Sequence, residues 1–261
     1  MRKGDYGSAA REYQEFLKKY PDSDLSAEAL FLLAKSQMGM NDIDAARQTL
    51  LLLYSKHERS DFAAQGLMQL ALLELRRANV SRADSLLTIV HTKYDRSELA
   101  AHALYEQAGL AMGKGDTLRS LSLYRQCGSL RLGEYSNQSD YRVGMFYRAQ
   151  GIDDSARAIF KHVSSVTDNQ SLAAECVYRI GESHLTLRQY EEALKAFEEV
   201  RNSFDSVEDW YTLSLIGLGE CYEKTGNLTK ARETYQTVII LHPSDDFGLT
   251  AQSRLKRLRK E

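Results

Sequence analysis

The chain has 261 residues, a formal net charge of -2 and a pI of about 6.3, which excludes a global basic field for nucleic acid. Its two prolines favour long helices, because proline breaks a helix interior. No apolar run approaches the ~18 residues of a membrane span, and Met1-Arg2-Lys3 leads into helical pattern without the apolar stretch of a signal peptide.

A small residue returns at Ala9, Ala46, Ala83, Ser120, Ala156, Ala193 and Ala231, in steps of 37, 37, 37, 36, 37 and 38. Four residues after each stands a large apolar one: Tyr13, Leu50, Leu87, Tyr124, Phe160, Phe197 and Tyr235. A fixed period of this length means stacked helical units, each unable to bury its apolar face alone. In chain order, residues 4–21 match only a second helix, so the sequence reads as part of a longer protein whose first unit lacks its partner. Full units follow at 24–58, 61–95, 98–132, 135–168, 171–205 and 208–243, and residues 246–260 form a closing helix.

Within 171–205, Val177, Ile180, Gly181 and His184 share one helix face; Leu187-Arg188-Gln189 turns the chain; Tyr190, Ala193, Leu194, Phe197 and Val200 mark a second helix. The next unit repeats this around the turn Thr225-Gly226-Asn227. First helices carry their own small residue at Ala34, Ala71, Ala108, Gly144, Gly181 and Gly219. The expected cause is close approach of antiparallel helix backbones, since helical glycine otherwise costs ~1 kcal/mol against alanine. In the closing helix the aligned position is Lys256, which cannot lie beneath another helix. Arg254, Lys256, Arg257, Arg259 and Lys260 are expected to solvate its outer face.

Leu218-Gly219, Tyr222, Gly226, Ala231, Tyr235 and Pro243 are spaced as in the tetratricopeptide repeat (TPR), which the whole chain resembles. The resemblance implies an all-α, right-handed superhelical solenoid of helix-turn-helix repeats, here forming a single array. The period of about 37 exceeds the usual ~34, the extra residues lying between units. The link Tyr20-Pro21-Asp22-Ser23 before an alanine-rich helix resembles bacterial cell-envelope TPR proteins of the Tol–Pal-associated coordinator and outer-membrane assembly lipoprotein type. That resemblance favours a periplasmic or outer-membrane-associated location.

In the TPR family the first helices line a concave groove. Transferred by spacing, the groove residues are Phe31, Met68, Tyr105, Tyr141 and Tyr178, then Leu72, Met145, Glu182 and Glu220, then Met112. The expectation is an apolar stripe that holds a protein or peptide segment, with Glu182 and Glu220 selecting a basic end; the alternative is that these side chains pack against neighbouring helices. The carboxylate clamp of chaperone-binding TPR domains is absent, because Phe31 and Lys35 stand where its lysine and asparagine belong.

Nothing points to catalysis, a cofactor or a metal. The sequence has no H-E-x-x-H, G-x-S-x-G or P-loop, and its six histidines fall in different units without ligand spacing. His184 takes a packing position usually given to tyrosine. Cys127, Cys176 and Cys221 read as small buried apolar residues. The N-x-S/T sequences at Asn79, Asn137, Asn169 and Asn227 read mainly as helix caps. The functional reading is therefore a non-catalytic scaffold or adaptor that binds a protein partner, within a bacterial envelope assembly. The alternative is a regulatory or substrate-recruiting arm of a larger enzyme or sensor. Self-association remains open; no nucleic-acid partner is read.

Overall fold

The structure, a computed structural model, describes residues 5–258. These form fourteen helices and no strand. They are α1 (Tyr6–Lys19), α2 (Ser26–Gly39), α3 (Ile43–Lys56), α4 (Asp61–Arg76), α5 (Val80–Lys93), α6 (Glu98–Gly113) and α7 (Thr117–Leu130). Then come α8 (Gly133–Ala149), α9 (Asp153–Val166), α10 (Gln170–Thr186), α11 (Tyr190–Ser203), α12 (Glu208–Lys224), α13 (Leu228–Leu241) and α14 (Asp246–Leu258). The chain divides into two compact units, Met1–Ser136 and Asn137–Glu261, with the boundary inside α8. Even-numbered helices are the first helices of each pair. In the N-terminal unit α2 also touches α4, and α4 touches α6; in the C-terminal unit α10 touches α12, and α12 touches α14. First helices thus form one layer of each unit.

Every first helix of a full pair ends in the same turn. Asn41, Ala78, Gly115, Gly151, Arg188 and Gly226 all have φ between 60 and 80°. The residue after each donates its N–H to a carbonyl five positions back, as Gln189 to His184 at 2.9 Å and Asn227 to Tyr222 at 2.8 Å. This left-handed close satisfies the free carbonyls of a helix end. Glycine adopts it freely, whereas Arg188 is held in it. Arg188→Gly is therefore expected to stabilise the C-terminal unit by up to about 1 kcal/mol, read as a higher urea midpoint. An unchanged or lower midpoint would contradict strain at this turn.

The small residues lie where the period puts them. Ala46, Ala83, Ser120, Ala193 and Ala231 are fully buried, and the Ser120 hydroxyl donates to the Ala108 carbonyl at 2.9 Å, joining the small sites of α7 and α6. Ala9, on α1, is only half-buried. Ala193→Leu is expected to overpack its site at a cost of roughly 1–3 kcal/mol; a wild-type melting temperature would refute the placement.

For the glycines the expected cause needs correction. A methyl on Gly144 would stand 2.6 Å from the Phe160 ring, one on Gly181 2.6 Å from Phe197, and one on Gly219 2.5 Å from Tyr235. The space serves an aromatic ring of the second helix, not a helix backbone. Where the second helix carries Leu50 or Leu87, the first carries Ala34 or Ala71. Tyr124, opposite Ala108, departs from the rule, and its ring meets Tyr105 edge-on at 5.6 Å.

All three cysteines are buried, and burial pushes the Cys221 thiol up to about 12. His184 is half-buried, its Nδ1 2.7 Å from Gln189 Oε1. Asn169 and Asn227 cap α10 and α13 through their side chains. Asn79 precedes α5, but its amide donates to Glu74 at 2.7 Å instead, and Asn137 lies inside α8.

Candidate protein-binding face

In the N-terminal unit the first-helix face is less open than its residue types suggest. Phe31 and Met68 are 8% and 2% exposed and belong to the hydrophobic core. Phe31 is covered because Phe62, on the next first helix, packs against it with ring centres 5.8 Å apart. Both were expected in an open groove, and both are core residues. Leu72 is half-buried against the same core, and Met112 is exposed.

Tyr105 is the aromatic residue that stays on the face. It is half-buried, with its ring 5.4 Å from Tyr135. His102 stacks on Tyr135 at 3.9 Å and places Nε2 3.3 Å from Glu106. A Cβ on Gly109, one turn along α6, would meet nothing within 4 Å, so the surface there is open. Tyr105, His102, Tyr135, Glu106 and Gly109 thus form one aromatic and polar patch. Of its ring-bearing residues, sequence reasoning found only Tyr105. His102 and Tyr135 stand six and nine residues before the small sites of their helices, positions that the groove pattern did not include.

The C-terminal unit differs in chemistry. Tyr141 is 7% exposed and packs on Phe160 at 5.7 Å, so it too is a core residue; its hydroxyl donates to Glu175. Met145 and Tyr178 are half-buried, and Tyr178 packs against Trp210 at 5.4 Å. Arg179 binds Glu182 at 2.8 Å and Glu175 at 3.0 Å, and its guanidinium lies 5.3 Å from the Trp210 ring centre. Arg148 adds a second ion pair to Glu182 at 3.1 Å. On α12, Glu220 pairs with Arg254 at 2.8 Å, and Glu223 accepts from Tyr235 at 2.6 Å. Glu182 and Glu220 are therefore neutralised in place, against the expectation of free acids awaiting a basic segment. Arg254 is likewise turned inward, while Lys256 and Arg257 are exposed; Arg259 and Lys260 lie outside the described residues.

Burial opposes the Arg179 charge, but its two carboxylate partners hold the pKa above the usual guanidinium value. Burial first, and the adjacent Glu175, Glu182 and Glu223 second, raise the phenols of Tyr141, Tyr178 and Tyr235 well above their ordinary range. A raised folded-state pKa gives stability that is complete below the unfolded value of about 10 and falls as pH climbs past it. The C-terminal unit is thus expected to lose stability from about pH 10 upward, and Tyr235→Phe to flatten that loss in urea titrations at pH 9 and 11. Identical pH slopes for both proteins would refute the assignment.

A serine-protease-like constellation also occurs. Thr212 Oγ1 lies 2.8 Å from His242 Nε2, and His242 Nδ1 lies 2.7 Å from Asp245 Oδ2. Nucleophilic catalysis needs a hydroxyl that substrate can reach, and Thr212 is fully buried. The trio ties α12 to the α13–α14 link instead, with Asp245 also accepting from the Gly248 N–H at 3.1 Å. Among the described residues no group of three His, Cys, Asp or Glu side chains is placed to hold a metal ion, and no helix is long and apolar enough to cross a membrane.

Two family profiles, each described as tetratricopeptide repeat, match residues 1–71 and 173–239. No curated protein matches at a significant level. Among solved structures, the C-terminal part of a TPR repeat-containing protein from Cytophaga hutchinsonii is similar at 13% identity and TM-score 0.67, over 95% of this chain and 94% of that one. PilW, described as a widely conserved type IV pilus biogenesis factor, is similar at 12% identity and TM-score 0.56, over 88% of this chain and all of that one. YrrB, described as a TPR protein with an unusual peptide-binding site, is similar at 17% identity and TM-score 0.54, over 78% and 97%.

Proposed function

The chain belongs to the tetratricopeptide-repeat proteins, and from that premise we propose that it is a non-catalytic scaffold whose first-helix face holds a segment of another protein. Its six helix pairs are read as six repeats of one array. The observation that carries the reading is the open patch of the N-terminal unit, where Tyr105, Tyr135 and His102 stand beside the uncovered Gly109. Aromatic rings with a polar edge supply contact area and hydrogen bonding together, the combination enriched at protein interfaces. Leu72 and Met112 extend the surface. In the C-terminal unit Met145, Tyr178 and the paired Glu182 and Glu220 offer a balanced, ordered polar face rather than an acidic one. The Tyr20-Pro21-Asp22-Ser23 link and the likeness to a pilus biogenesis factor support a place in a bacterial envelope assembly.

The test is affinity capture from lysate of the source cells with wild type and a Tyr105→Ala/Met112→Ala variant, read by mass spectrometry. The variant is expected to keep its helical circular dichroism and to weaken capture of a specific protein by at least ~2 kcal/mol, the scale of an interface hot spot. Equal capture by the folded variant would remove this patch from the binding role.

A further inference from the structure

Aromatic rings recur three residues before the small site of a first helix, at Phe31, Tyr105, Tyr141 and Tyr178. Three of the four carry a cation from their own helix. Lys35 Nζ lies 5.7 Å from the Phe31 ring centre, and the guanidinium carbons of Arg142 and Arg179 lie 6.0 Å from Tyr141 and 5.7 Å from Tyr178. A cation this close is attracted by the negative face of the ring. These cations stand either two residues before the small site, as Arg142 and Arg179, or one after it, as Lys35. At Tyr105 the same two positions hold Glu106 and Gly109. Among the described residues no lysine or arginine lies over the Tyr105 or Tyr135 ring.

The α10 site shows what such a ring pair accommodates. Tyr178 and Trp210 have ring centres 5.4 Å apart, the same separation as Tyr105 and Tyr135. Trp210 and Tyr135 each stand nine residues before the small site of the following first helix, Gly219 and Gly144. The Arg179 guanidinium lies against both rings, 5.3 Å from Trp210, and pairs with Glu182 and Glu175. The Tyr105 site has the two rings and a carboxylate but no guanidinium. Glu106 is partly exposed, and its basic neighbour is His102, an imidazole that is charged only when protonated. Burial first, and the Glu106 charge second, raise the Tyr135 phenol, so the carboxylate is felt at the ring pair.

We propose that the Tyr105–Tyr135 pair is the seat of an arginine side chain from the bound segment. The guanidinium lies against the two rings, pairs with Glu106 and enters over Gly109, where a Cβ would meet nothing within 4 Å. The assignment rests on the first-helix face being the surface that holds a partner. Charge complementarity selects a cation. A planar guanidinium stacks on rings and grips a carboxylate with two N–H groups, whereas an ammonium is a compact, strongly hydrated point charge.

The probes are the acetylated, amidated pentapeptide Ala-Leu-Arg-Leu-Ala and its counterparts with citrulline or lysine in place of arginine. Each is titrated into the isotope-labelled full chain and followed by NMR at the Gly109 and Glu106 amides. Citrulline keeps the planar shape and removes the charge. Saturable shifts are expected with arginine, at an affinity at least fivefold above citrulline and higher than lysine. Glu106→Gln, checked for wild-type helicity, should lower the arginine affinity at least fivefold and leave the citrulline affinity unchanged. Glu106→Arg, which sets a cation where α10 has Arg179, should abolish arginine binding. No shift with the arginine peptide, equal affinity for arginine and citrulline, or an arginine affinity unchanged in folded Glu106→Gln would overturn the proposal. Lysine binding as tightly as arginine would overturn the choice of a guanidinium. Lysate capture separates the proposal from the reading beneath it. A protein lost by Tyr105→Ala/Met112→Ala but held equally by Glu106→Gln would keep the binding face and remove the arginine.

Discussion

Replacing Tyr141 by alanine is expected to destabilise the C-terminal unit by about 3–5 kcal/mol, enough to compromise its fold. The ring is 7% exposed and is the part of α8 that closes the cluster of Phe160, Val163, Leu172 and Cys176. Truncation would leave a void that rigid helix packing cannot fill, and would strip the Glu175 carboxylate of its hydroxyl donor. Tyr141→Phe separates the two effects. It keeps the ring and removes a hydrogen bond to a charged acceptor, for an expected loss of about 1.5–3 kcal/mol. Urea denaturation of both variants checks this. If Tyr141→Ala unfolds at the wild-type midpoint, the side chain is on the surface and the core placement is wrong. A binding defect seen only with Tyr141→Ala would for the same reason carry no information about a groove.

The second large effect centres on Phe197. Its ring is 1% exposed and is bracketed by two glycines from successive first helices, since a methyl on Gly181 would stand 2.6 Å from it and one on Gly217 2.7 Å. Phe197→Ala is expected to cost about 3–5 kcal/mol. The sharper result concerns Gly181→Ala. Alanine is the better helix former by ~1 kcal/mol, yet the added methyl has no room because Gly217 blocks the ring's retreat. In wild type the substitution should therefore destabilise by roughly 1–3 kcal/mol. In a Phe197→Leu background, where the ring is gone, the same substitution should become neutral or stabilising. The change of sign is the signature of direct coupling between touching residues. Equal effects in both backgrounds would mean that Gly181 answers to something other than Phe197.

These positions also show what the sequence discloses. The helices, their turns and the small residues were legible, because each is set by local chemistry repeated at fixed spacing: a left-handed turn before Asp42, Asn79 or Asn227, and an apolar stripe at helical period. Burial of individual face residues was not legible. Phe31 and Tyr105 occupy the same register and each packs on an aromatic ring nine residues before the small site of the following first helix, Phe62 and Tyr135, yet Phe31 is 8% exposed while Tyr105 is half-buried beside the uncovered Gly109. How far each is covered depends on the particular side chains around it, which helix periodicity does not encode. The ion pairs were hidden for the same reason. Arg254 meets Glu220 across 34 residues and Arg148 meets Glu182 across a helix boundary, so acids that look free in the sequence are spoken for in the fold.

Helix α14 is held to the rest of the C-terminal unit by more than apolar contact. It buries Ala251, Leu255 and Leu258, and the link before it is tied to α12 through Asp245, His242 and Thr212. Arg254 adds an ion pair to Glu220 of α12, and Arg232 of α13 donates to the Leu258 carbonyl at 2.9 Å. Local opening precedes global loss of structure and starts where least is held. Release of α14 therefore has to break these polar ties and its apolar contacts together, so its amides should exchange with solvent nearly as slowly as those of α12.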